Sequence, residues 1–489
     1  MLSPETLFAA MRAHAERPAL QQGERRLSYR EVLQQVELRA ERLRTMGCRR
    51  IAIALDNAID WALWDLAVLE AGLVCVPLPA FFSSTQLAHV LHSAGIDTLI
   101  VDDSRAFQHA GFGPAAGQLA QRVVEDPPAL PAGTVKITYT SGTTGQPKGV
   151  CLEAKAMLAV ATSLWQASQP CSIQRHLCVL PLATLLENIG GLYAPMLAGA
   201  VVELMPMAEI GFSGTSEFDV QRFLSALHRS QPNSLILVPQ LLLMLVTAAE
   251  HGAPLPASLR FIAVGGARVS ARLLRRAETL GLPVFEGYGL SECASVVCLN
   301  SPARRRIGTV GQPLPHVEVR IGEAGEVLVR GPRMLGYLNE AAPAGEFLDT
   351  GDLGHFEDGF LVLHGRSKHQ FVTAYGRNVN PEWVEAELVQ QSPIAQAWLY
   401  GEALPANVAV LVPRRDDIPD SALQAAVAAV NEGLPDYARV HHWLRADEAF
   451  TPANGLATAN GRLRRAALLN KYCNAIEQQT TIETLSGKY

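Results

Sequence analysis

Apolar and polar positions follow two different periods along this chain. Ser28-Tyr29-Arg30-Glu31 forms a capping box, and the apolar positions after it keep helical spacing to Met46, where Gly47 stops the helix. Residues 51–55 are a short apolar run of strand length, followed by a predicted helix over about 58–71 and strands over 73–76 and 98–101. Segment 104–133 is rich in Ala, Gly and Pro and leads into a strand over 135–139. The alternation then repeats: strand 177–180, helix near 187–197, strand 201–204, helix around 218–229, and strands 235–238 and 261–264. Strands separated by helices predict an α/β class, with a large layered N-terminal body of mainly parallel sheets. After about residue 316 the period shortens to two. Val317, Val319 and Ile321, then Val327 and Val329 across Glu323-Ala324-Gly325, predict a hairpin in a β-rich subdomain. Asp358-Gly359 before the apolar run 360–363 predicts a further turn and strand, and beyond Gly365 a smaller α+β stretch ends in a polar tail.

Composition narrows the class of protein. A chain of 489 residues is too long for one ordinary domain, and at roughly 150 residues per domain it suggests about three units, or two if one is large. With 48% apolar and 18% charged residues the chain can bury a substantial core. Lys and Arg total 41 against 47 Asp and Glu, a net charge of −6 that argues against nucleic acid as a partner. The eight cysteines form no CxxC pair and no Cys/His ligand spacing, so they read as buried thiols of a reducing compartment. The first twenty residues scatter acids and arginines where a signal peptide needs an apolar run. The most apolar long segment, 177–204, is interrupted by Glu187, Asn188, Gly190 and Gly191, which favours a buried helix plus strand over a membrane span. These features predict a cytoplasmic enzyme.

The strongest local signal is Thr138-Tyr139-Thr140-Ser141-Gly142-Thr143-Thr144-Gly145-Gln146-Pro147-Lys148-Gly149. A strand opens into a loop of small, hydroxyl-bearing and glycine residues with one lysine. Glycine lets the backbone approach an anion, hydroxyls and amides donate to it, and Lys148 adds a mobile charge for outer phosphates. The spacing is not that of a Walker A loop.

This run resembles the signature loop of the adenylate-forming (acyl-activating, AMP-binding) enzyme superfamily, and the similarity extends through at least residues 138–465. The resemblance implies the adenylate-forming fold, with an AMP- and acid-binding domain over 1–365 and a small mobile α+β lid over 366–489. It implies that Thr140, Ser141, Gly142, Thr143, Thr144, Gly145 and Lys148 hold phosphates, and that Gly265-Gly266-Ala267 lies against adenine. In Glu286-Gly287-Tyr288-Gly289-Leu290-Ser291-Glu292, Tyr288 would stack on the base and Glu292 would help hold Mg²⁺, with Ser291 where the family usually has Thr. Asp352 and Arg366 match ribose contacts. Lys368 sits at the position about which the family's lid turns, and 376–385 at the loop that faces the thiol acceptor.

The acid pocket is expected around Ala183, Thr184, Glu187, Gly190 and Gly191. The Asp that amino-acid adenylation domains carry near this region is missing, and the aliphatic lining suggests a fatty or otherwise apolar acid. The pattern is most similar to long-chain acyl-CoA synthetases, although those usually have His where Thr184 stands and Arg where Asn188 stands. A second departure lies near the C-terminus, where Asn460-Gly461-Arg462-Leu463 places arginine at the family's adenylation lysine. Arg462 keeps the charge and can engage two oxyanions at once.

The implied activity is ATP- and Mg²⁺-dependent activation of a carboxylic acid to acyl-AMP, with Lys148, Thr140, Glu292 and Arg462 as its catalytic residues. Transfer to a thiol, CoA in the leading reading, would follow. Two alternatives stay open: an acyl-AMP ligase that loads an acyl carrier protein or closes a β-lactone, and a non-catalytic nucleotide-binding relative. The acyl anhydride is reactive in itself, which fits the absence of any Ser/His/Asp or Cys/His motif.

Overall fold

A computed structural model describes residues 2–140, 147–213, 217–340, 342–374, 377–458 and 461–486. Two large sheets form the N-terminal body. One has nine strands, with Arg175–Leu177, Ser234–Leu237, Phe261–Val264 and Val284–Leu290 as parallel neighbours at its centre. The other has eight, built on the parallel strands Arg50–Ile53, Val74–Pro77 and Thr98–Ile100, and carries the antiparallel pair Lys136–Thr140 and Lys148–Leu152. The α/β, mainly parallel reading therefore holds, with antiparallel pairs at the sheet margins. A four-stranded antiparallel sheet from Glu318–Ile321 to Phe360–Arg366 realises the predicted hairpins. The C-terminal unit packs Pro381–Leu388, Asp420–Asn431 and Arg465–Ser486 with the strands Ile394–Tyr400, Asn407–Pro413 and Val440–Arg445.

Local chemistry explains most element boundaries. Ser28 accepts from the Glu31 N–H and the Glu31 carboxylate accepts from Ser28, so the helix Tyr29–Thr45 starts where the capping box sets it. Within 104–133 the structure has a short hairpin, Gly113–Ala116 with Leu119–Gln121, that the Gly- and Pro-rich composition did not announce. The segment 177–204 is helical over Leu185–Leu197 by way of a π-helical stretch, Asn188–Tyr193, and then forms the strand Val201–Glu203. Among the described residues no helix is long and apolar enough to cross a membrane.

The π-helical stretch joins the two large sheets through a buried polar cluster. Lys136 Nζ lies 2.7 Å from Asp65 Oδ1, donates to Asn188 Oδ1, and lies 3.1 Å from Tyr193 OH. Tyr193 OH and Asn188 Nδ2 donate to the other Asp65 oxygen at 2.7 and 3.0 Å. Every polar atom of the pair is thus answered, which a fully buried charge requires. All eight cysteines are free thiols, six of them buried.

Candidate active site

One cavity of about 920 Å³ lies between the sheets and the C-terminal unit. Thr140 and Lys148 line it side by side, because they are opposed residues of one antiparallel pair at the base of the phosphate-loop motif. The Lys148 ammonium is 2.8 Å from Glu340 and 5.1 Å from the Tyr337 ring centre. Ser141, Gly142, Thr143, Thr144 and Gly145 lie outside the described residues, as do Gly376 and Asn460.

Gly265, Gly266, Gly287, Tyr288, Gly289, Ser291 and Glu292 also line the cavity. Gly289 is needed by close approach, since a β-carbon there would collide with the Ser295 carbonyl oxygen. The turn after it holds Ala294 at φ 55° and Ser295 at φ 106°, a left-handed backbone costing on the order of 1–3 kcal/mol per residue and typical of functional turns. This turn presents Glu292, whose carboxylate accepts from Tyr337 OH at 2.7 Å. Ala267 and Glu286 are not on the cavity wall. Side chains alternate along a strand, so Glu286 points to the opposite face from Gly287 and is buried. Burial pushes its carboxyl up to about 8, against the pull of Arg268 and a hydrogen bond from the Val269 N–H.

Asp352 and Arg366 are opposed residues of neighbouring antiparallel strands, which is why fourteen residues of sequence separation end in contact. Arg366 Nε lies 3.1 Å from Asp352 Oδ1, and Tyr288 OH donates to Asp352 Oδ2 at 2.6 Å. Burial raises the Asp352 carboxyl, while Arg366 holds it down. From the C-terminal unit, Lys368 and Arg462 enter the same cavity. Arg462 sits on a tight turn in which its N–H donates to Thr458 Oγ1 at 3.0 Å and Thr458 N–H donates to its carbonyl at 2.7 Å. Its guanidinium reaches back to the Gly265-Gly266 turn and donates to the Gly266 carbonyl at 3.2 Å. Beside it Arg465 makes a two-point ion pair with Glu385 at 2.9 and 2.6 Å.

Away from Tyr288 the cavity becomes an apolar tunnel between the helix Ala154–Ser168, the π-helical stretch and two strands. Leu164, Ile173, Leu186, Ile236, Phe261 and Ala263 line it. Of the expected pocket residues Ala183, Thr184 and Gly190 lie on its wall, whereas Glu187 and Gly191 do not. The helical turn carries those two to the other side, where Glu187 meets His176 at 3.1 Å. Sequence reading missed His176 and Ser234, both on the wall, which are far apart in sequence and adjacent only through strand pairing.

Residues 7–338 match the AMP-binding enzyme family and residues 368–481 match the AMP-binding enzyme C-terminal domain, so the chain belongs to this family of adenylate-forming enzymes. It is 30% identical over 455 residues to the long-chain-fatty-acid–CoA ligase FadD15 of Mycobacterium bovis, covering 77% of this chain and 75% of that one. Its fold is similar to that of the anthranilate CoA ligase AuaEII in complex with anthranoyl-AMP, with a TM-score of 0.78, 19% identity and 96% of each chain covered. It is likewise similar to the o-succinylbenzoate CoA synthetase of Bacillus subtilis in complex with ATP and magnesium, with a TM-score of 0.76, 24% identity and 94% and 98% covered. The chain is an enzyme of the adenylate-forming, acyl-CoA ligase superfamily with an ATP-binding fold.

Proposed function

We propose that this enzyme joins an apolar, fatty-type carboxylic acid to the thiol of CoA by way of an acyl adenylate, releasing pyrophosphate and AMP. The observation that carries the proposal is one continuous cavity. It takes in Tyr288 and the Thr140–Lys148 pair together with an apolar wall that suits an alkyl or aryl chain. The relatedness to a long-chain-fatty-acid–CoA ligase supports the fatty character of the acid.

In this reading Asp352 and Arg366 address the ribose hydroxyls, and Gly265, Gly266 and Tyr288 receive the adenine. The acid's carboxylate oxygen attacks the α-phosphorus of ATP, and the bond to pyrophosphate breaks. Lys148 leaves Glu340 for the outer phosphates, while Arg462 bridges the carboxylate and the α-phosphate. Fixed charges of this kind stabilise the transition state without reorganising as charge develops. Glu292, fixed by Tyr337 on the wall of the cavity that Thr140 also lines, is a hard oxygen donor suited to Mg²⁺. Bound there with the nucleotide, Mg²⁺ would neutralise phosphate charge. The lid, residues 366–489, then turns about Lys368 and admits the thiol to the acyl carbon; the C–O bond to AMP breaks and the thiol's proton is released.

The test is an acid panel of short, long and aromatic acids, following pyrophosphate, AMP and thioester with and without CoA. Thioester formed in step with AMP from long-chain acids supports the proposal. Pyrophosphate release that CoA leaves unchanged, with no thioester, contradicts CoA as the acceptor and points to a carrier protein.

A further inference from the structure

The tunnel floor consists of two neighbouring parallel strands in register. Ser234 is opposed to Phe261 and Ile236 to Ala263, and the Gly265 N–H donates to the Leu237 carbonyl at 3.2 Å. Alternate residues share a face, so Ser234, Ile236 and Val238 lie beside Phe261, Ala263 and Gly265, and all six line the cavity. The Val238–Gly265 end borders the adenine turn. Four residues away, about 13 Å at strand rise, lies the inner end.

That inner end is polar where its surroundings are aliphatic. Ser234 and His176 are opposed residues of paired strands, and both line the cavity. Ser234 Oγ is 2.9 Å from His176 Nδ1, and His176 Nε2 is 3.1 Å from Glu187 Oε1. The Leu180 N–H closes the row on Glu187 Oε2 at 3.3 Å. His176 and Glu187 are 2% and 0% exposed and hold each other in place. The serine hydroxyl has one donor and two acceptor positions, and contact with His176 uses one of them. Burial raises the Glu187 carboxyl. Whichever ring nitrogen of His176 carries the proton, Ser234 keeps hydrogen-bonding capacity to offer into the tunnel.

We infer that Ser234, oriented by His176 and Glu187, is a specificity-determining contact for an oxygen atom carried by the acid far from its carboxylate. The substrate class is an apolar acid bearing an oxygen substituent part-way along its chain, rather than a plain hydrocarbon chain. This inference rests on the acid-activating function proposed above, because the cavity's other end must hold the carboxylate.

The experiment compares straight-chain acids with their hydroxy and oxo derivatives, the oxygen placed at successive positions. It reads kcat/KM for acid-dependent pyrophosphate release by the full-length enzyme. The wild type is expected to favour one oxygenated position over the parent acid by roughly threefold to tenfold, the worth of one hydrogen bond. Ser234→Ala is expected to abolish that preference. For the positioning residue, His176→Leu should lose the preference and His176→Gln, which keeps a hydrogen-bonding side chain, should restore part of it. This ratio between two acids is a readout that mere loss of folded protein does not move. An oxygen preference that is absent in the wild type, or identical in Ser234→Ala, overturns the inference alone. Absence of pyrophosphate release with every acid overturns the acid-activating function and the inference with it.

Discussion

Gly190 is the position where one small change should redefine the acid that the tunnel accepts. It lies on the π-helical stretch opposite Ile236, and both line the tunnel. A β-carbon at 190 would sit 2.8 Å from Ile236 Cδ1 and 3.7 Å from Leu164 Cδ1. Gly190→Val adds that carbon and two more, so the Ile236 side chain must move and the passage toward Ser234 narrows. Overpacking of this kind costs about 1–3 kcal/mol of stability, and the low end applies because the atom displaced is the flexible tip of a side chain. The effect on the reaction is larger and depends on chain length. Each methylene that can no longer be buried costs about 0.8 kcal/mol, so an acid losing three loses about 2.4 kcal/mol, roughly 50-fold in kcat/KM. An acid too short to reach Ile236 loses little. The assay is pyrophosphate release across a chain-length series, wild type against Gly190→Val, with thermal unfolding alongside. A uniform loss at every chain length would refute the placement of the acid in this tunnel.

Three further outcomes follow from the geometry. Lys136→Ala leaves Asp65 charged and buried without its partner, so a destabilisation of about 3–5 kcal/mol is expected by denaturant unfolding, with little effect from salt. Glu286 titrates near 4.5 in the unfolded chain and at about 8 when folded, so its contribution to stability is complete below about pH 4.5 and is lost as pH rises toward 8. Melting temperatures of wild type and Glu286→Gln should therefore coincide in acid and diverge in favour of the variant between pH 4.5 and 8. Tyr288→Phe removes the 2.6 Å donor to Asp352 but keeps the ring, so KM for ATP should rise while the choice of acid stays the same.

What could be read from sequence was whatever depends on neighbours along the chain. The capping box at Ser28 and the strand that leads into the phosphate loop are local, and each appears within a residue or two of where periodicity placed it. Asp352 and Arg366 were named together only through the family resemblance, and the hairpin that sets them opposite each other is what the structure adds. Side-chain direction was harder. Glu286 sits one residue from a cavity-lining glycine and faces away, and a π-helical stretch re-aims the turn that carries Gly190 inward and Glu187 and Gly191 outward. Lys136 looked like part of an apolar strand, and nothing in its own segment signals the Asp65 it neutralises. The row from Ser234 through His176 to Glu187 is assembled by parallel pairing of strands 58 residues apart, a relation that no linear motif records.

The central claim is that this chain forms acyl adenylates with arginine where its family usually has lysine. Carboxylate-dependent exchange of labelled pyrophosphate into ATP measures that step without any thiol. Wild type should catalyse exchange only when an accepted acid is present, and Arg462→Ala should slow it roughly 100-fold, as expected for loss of a charge aimed at the transition state. Exchange undiminished in Arg462→Ala would contradict the role of Arg462, and ATP binding with no acid-dependent exchange in the wild type would contradict the account as a whole.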